Sequence, residues 1–142
     1  RASSMSMAAL PIRALIEELL LKRRAEIAER GFDIEIDVPD RLRVNGNRHL
    51  TELLLGNLLD NVIYYASPAS LQIRCGGAQQ LLISNPQGLV DSAPHPQSMG
   101  HGLSLVQRLA SAQGWTVTPS SESGIFSVTI DCANNPADFT PL

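Results

Sequence analysis

The stretch NRHLTELLLGNLLDNVIYYAS, residues 47–67, decides the reading of this chain. Its leucines recur at three- and four-residue steps, which predicts a helix, and Asn57 and Asn61 stand four residues apart on one face of it. Burying an unpaired amide costs about 1–3 kcal/mol. Amides on so apolar a helix are therefore expected to face water or a ligand that bonds them. Asn47 is placed to act as the N-cap.

Working outward, Leu10, Ile12, Leu15, Ile16, Leu19, Leu20 and Ile27 mark the apolar face of an amphipathic helix, with Pro11 in its first turn and Gly31 as its C-cap. Phe32 to Val38 alternates apolar and acidic residues, the pattern of a half-buried strand. Arg41 to Val44 reads as a short strand, and Asn45-Gly46 as a turn into the asparagine helix. Downstream, Leu71, Ile73 and Cys75 alternate with polar residues, and Gly76-Gly77 reads as a hairpin turn into Leu81 to Ser84. Residues 85–99, with Pro94 and Pro96, read as a loop. Gly100-His101-Gly102 opens a second amphipathic helix ended by Gly114. Trp115 to Pro119 and Ile125 to Asp131 form a closing hairpin. The order predicts an α+β two-layer sandwich, with a mixed, mostly antiparallel sheet and three helices on one face.

At 142 residues and 44% hydrophobic content the chain is long enough for one domain with its own core, and no apolar run approaches a bilayer span. The net charge of −3 argues against nucleic acid as a partner, since phosphate-backbone binding calls for a basic excess. Cys75 and Cys132 lack CxxC spacing and read as reduced thiols. Residues 1–7 read as a linker or remnant of a longer protein, 8–131 as the domain, and 132–142 as a disordered tail.

A glycine pair at a helix start lets the backbone approach a phosphate, which the first-turn N–H groups and the helix dipole favour. Gly100-His101-Gly102-Leu103 has that form. An amide oxygen on the asparagine helix is a hard ligand of the kind Mg²⁺ accepts beside phosphate oxygens and water.

Taken together, GNLLDNVIYYA, SNPQG and GHGLSLVQRLASAQG resemble, in order and spacing, the ATP-binding catalytic domain of bacterial sensor histidine kinases. That family belongs with gyrase, the ninety-kilodalton heat-shock chaperone and MutL. The resemblance implies that Asn61 holds Mg²⁺ to the triphosphate, that Asn57 is the first asparagine of the same box, and that Tyr65 flanks the nucleotide. It puts Asn85 where an aspartate usually receives the adenine amino group, and Gly88 in a first glycine box. Gly100, His101, Gly102 and Leu103 fall at the second, where the phosphates lie. It further implies ATP and Mg²⁺ as ligands, a histidine-bearing dimerisation domain of the same parent as partner, and a response regulator beyond it. The fragment is expected to be a monomeric, cytoplasmic part of an inner-membrane-anchored sensor.

The departures from the family pattern are specific. Gln87 and Leu89 replace glycines, Tyr64 stands where a phosphate-contacting lysine is frequent, and Lys22 is the only lysine. Asn85 offers an amide oxygen without charge. Two alternatives follow: a degenerate nucleotide-binding or interaction module that regulates a partner, and an ATP-hydrolysing relative using Glu52 as base.

Overall fold

The structure is a computed structural model that describes residues 6–65, 70–77, 79–85, 96–122 and 125–133. Two sheets and four helices make up the described chain. Strand β1 (Ala8–Pro11) leads into helices α1 (Ile12–Lys22) and α2 (Arg24–Arg30), then β2 (Asp33–Asp37), β3 (Arg43–Gly46) and helix α3 (Arg48–Tyr65). After α3 come β4 (Ser70–Gly77), β5 (Gln80–Ser84), helix α4 (Pro96–Ser111), β6 (Thr116–Glu122) and β7 (Ile125–Asp131).

The main sheet has the order β2-β4-β5-β7-β6 and is mixed: β2 and β4 are parallel, the other pairs antiparallel. Its register stacks apolar residues in rows. Ile83 lies between Ile73 and Val128, and Leu81 between Cys75 and Ile130. These side chains are buried apart from the half-buried Cys75; between them Arg74 is exposed and Leu82 and Thr129 are half-buried, and on β6 Thr116 and Thr118 are exposed. One face is therefore covered and the other wet, which with helices α1, α3 and α4 gives the expected α+β sandwich.

Helix α3 is the spine of the core. Leu54, Leu55, Leu58, Leu59, Val62 and Ile63 are buried, and the helix contacts both α1 and α4. Asn47 caps it as expected, its Oδ1 accepting from the Leu50 N–H at 2.9 Å.

Four sequence expectations are corrected. The expected first helix is two helices, because the chain leaves helical geometry at Arg23 (φ −108°, ψ 14°). The Arg23 guanidinium donates to Leu19 O and Gly56 O and forks onto Asp60 at 2.6 and 3.2 Å, tying the break to α3. The sandwich accordingly has four helices rather than three. Asn45-Gly46 is not a turn but the end of β3, which pairs with the unanticipated β1 in a separate two-stranded sheet. Gly46 is required there by close approach: a Cβ would stand 2.6 Å from Trp115 Cζ2 and 2.9 Å from Gln113 Oε1. Gly76-Gly77 is not a tight hairpin turn either, since β4 runs through Gly77 with a bulge between Cys75 and Gly77.

The fourth correction bears on the site. Helix α4 begins at Pro96, four residues before the expected Gly100. Proline is pre-organised for a first helical position, and nothing at residues 97–99 opposes helix. Of the tail expectation, residues 134–142 lie outside the described residues, as does Gly88.

Candidate functional site

On α3 the open side is a stripe of Leu53, Asn57, Asp60, Asn61 and Tyr64, between the buried leucines. Leu53 is 42% exposed and Tyr64 73%. Asn57 and Asn61 are both half-buried, but their amides are engaged differently. Asn57 Nδ2 donates to Leu53 O of its own helix at 2.8 Å, which turns its oxygen outward. The Asn61 side chain makes no hydrogen bond among the described residues, so both ends of that amide are available. The two-amide face read from the sequence is thus present, with Asn61 the freer of the pair. Tyr65, one turn beyond Asn61, is the last residue of α3.

Asn85 follows β5 directly and is only 3% exposed. Its Oδ1 accepts from Ser70 Oγ at 2.6 Å, and its Nδ2 is buried with no hydrogen-bond partner among the described residues. Ser70 opens β4 and is itself 4% exposed. Four residues, 66–69, join the end of α3 to Ser70, a link of at most about 18 Å when extended. Residues 86–95 join Asn85 to α4. Ser70, which follows α3 in the chain, and Asn85, which precedes α4, therefore lie together at one end of β4 and β5.

Within α4, Gly100 and Gly102 sit in the second turn rather than at the N-terminus. Within the helix, the N–H groups without an intrahelical partner belong to residues 97 and 98, Pro96 having none. Leu103 is half-buried and packs against the core. The anion-attracting end of the helix is thus one turn earlier than the glycine pair suggested.

No cluster of three or more His, Cys, Asp or Glu residues suited to a metal exists among the described residues. A divalent cation here would rely on an amide oxygen together with phosphate oxygens and water, an arrangement Mg²⁺ accepts. The free, half-exposed Asn61 amide fits that requirement. Glu52 does not stand as a free base: it is half-buried and paired with Arg48 at 3.3 Å.

A cleft of about 660 Å³ adjoins this stripe, sharing Asp60 and Tyr64 with it and lined beyond them by Lys22, Arg23, Glu26 and Arg30 among others. Arg30 closes part of it by donating to the carbonyls of Ile63 and, at 2.7 Å, Tyr64 at the end of α3. Neither Asn57, Asn61 nor Asn85 lines it. Sequence reasoning missed Ser70 and the Arg23–Asp60 pair. The partners are 15 and 37 residues apart, and nothing local marks either contact.

No protein-family model and no curated protein matches the sequence. Solved structures do match in fold. The cytoplasmic segment of histidine kinase QseC superposes with a TM-score of 0.70 at 21% identity, over 92% of this chain and 80% of that one. Histidine kinase AdeS of Acinetobacter baumannii gives 0.74 at 19% identity, over 92% of this chain and 69% of that one. The catalytic domain of histidine kinase ThkA, in a nucleotide-free form, gives 0.70 at 18% identity, over 92% of this chain and all of that one. The chain has the fold of the catalytic domains of sensor histidine kinases.

Proposed function

We propose that this chain is the ATP-binding catalytic domain of a sensor histidine kinase, the phosphoryl-donor half of the enzyme. The observation that carries the reading is the open stripe of α3, where Asn61 keeps its amide free beside Asn57 on an otherwise apolar helix. In this reading Asn61 supplies the metal-facing oxygen and Asn57 the neighbouring polar contact. Tyr65 flanks the nucleotide, and Asn85 reads its base. Gly88, Gly100, His101, Gly102 and Leu103 border the phosphates, with the free N–H groups of residues 97 and 98 nearest to them. Mg²⁺, when bound, offsets the phosphate charge that no lysine of α3 is present to meet.

The chemistry asked of these residues is positioning and exclusion of water rather than covalent catalysis. The acceptor imidazole belongs to a dimerisation domain of the parent protein, from which a response regulator takes the phosphoryl group. Among the described residues no helix is long and apolar enough to cross a membrane. In this reading the domain is cytoplasmic and monomeric, tethered to a sensor anchored in the inner membrane. A second reading, a regulatory module that binds nucleotide without transferring phosphate, is favoured by Tyr64 in place of a lysine.

The site is tested by calorimetric titration with ATP, with and without Mg²⁺. The account expects Mg²⁺ to tighten binding and Asn61→Ala to abolish that gain while leaving the melting temperature unchanged. An Asn61→Ala variant with the full Mg²⁺ response would remove Asn61 from the site.

A further inference from the structure

The buried amide of Asn85 has one end engaged and one end idle. Its separation of 2.6 Å from Ser70 Oγ suits an O–H···O bond and is short for N–H···O. The hydroxyl therefore donates to Oδ1, which leaves Nδ2 as the unpartnered end. A buried N–H without an acceptor is costly, and native proteins seldom keep one without a use. Asn85 stands where the chain leaves β5 for α4, joined through Ser70 to the strand that follows α3.

Resting on the nucleotide reading above, we infer that Asn85, held by Ser70, makes the base site permissive between 6-amino and 6-oxo purines. An amide offers both a donor and an acceptor. With Oδ1 taken by Ser70, Nδ2 is the end that reads the base: it donates to the ring nitrogen N1 of a 6-aminopurine or to the carbonyl of a 6-oxopurine. A carboxylate at this position has no donor, so it sets acceptor against acceptor at the 6-oxo group. The idle N–H is what admits the second class of base. Ser70 is a positioning residue: its hydroxyl holds Oδ1 and leaves Nδ2 as the end to meet the base.

The test is a titration of the folded chain with ADP and with IDP, which differ only at the purine 6-position and the proton at N1, in the presence of Mg²⁺. Wild type is expected to bind the two within tenfold of each other or to favour IDP. Asn85→Asp is expected to shift the ratio at least tenfold toward ADP. Ser70→Ala, which releases the amide to turn without adding charge, should change the ratio at least threefold while leaving Mg²⁺ dependence intact. A wild-type preference for ADP above tenfold, or a ratio unmoved by Asn85→Asp and Ser70→Ala alike, would overturn the inference and leave the nucleotide site standing. Failure of a folded sample to bind either nucleotide would overturn the nucleotide reading along with it.

Discussion

Asn57 and Asn61 have the same side chain, one helical turn apart and equally half-buried, yet only Asn57 bonds its own helix. Substituting Asn57 by Ala removes one bond to a carbonyl already inside the helix, so a stability change within about 0.5 kcal/mol is expected by chemical denaturation. Gly46 contrasts with both. Its missing side chain is what allows β3 to lie against Trp115, whose Nε1 donates to Asn45 O at 3.1 Å. With 2.6 Å to Trp115 Cζ2, Gly46→Ala forces the buried indole to move. The expected cost is about 1–3 kcal/mol, read from the denaturation midpoint. At this scale the sequence displayed the asparagines clearly, because they interrupt a leucine pattern. It read Asn45-Gly46 as a turn because the dipeptide is a good one, and the indole that overrides it lies some seventy residues away along the chain.

Local pattern predicted α3 well as an element, cap included, since its leucines, its N-cap and its amides all point the same way. The break between α1 and α2 was not legible. The charged face of residues 18–30 continues a helical pattern through Arg23, and only the reach of that guanidinium to Gly56 O and Asp60 accounts for the break. Arg23→Ala should remove the bonds to Leu19 O, Gly56 O and the Asp60 carboxylate together and lower stability by about 1–3 kcal/mol, with hydrogen exchange rising first in α2. Uniform exchange along both helices would show that the side chain does not hold the junction. The start of α4 was likewise hidden, because prolines signal both loops and first turns. Pro96 is the second kind.

Across the whole molecule, the sandwich follows from alternating strands covered on one side, and that alternation is written in the sequence. The pairing of β1 with β3 is not, since neither strand has enough residues to show a period. Burial at the end of the sheet also sets a pH response. Desolvation, aided by Asp131 and Cys75, pushes the Cys132 thiol from its ordinary 9.0 up to about 12. A group whose folded pKa is raised binds its proton more tightly in the native state, so its contribution is full below pH 9 and is lost as pH rises toward 12. Denaturation midpoints should accordingly fall across that alkaline window for wild type and fall less for Cys132→Val. Equal slopes would exclude the thiol as the cause.

In the proposed function a nucleotide occupies the stripe of α3 and the Ser70–Asn85 end of the sheet, not the cleft beside α2. Backbone amide shifts in nuclear magnetic resonance, followed as Mg²⁺ and a purine nucleoside triphosphate are added, distinguish the two. The largest changes are expected at Asn57, Asn61, Tyr65, Ser70, Asn85 and the first two turns of α4. Changes centred on Lys22, Glu26 and Arg30 instead, or none in a folded sample, would contradict it.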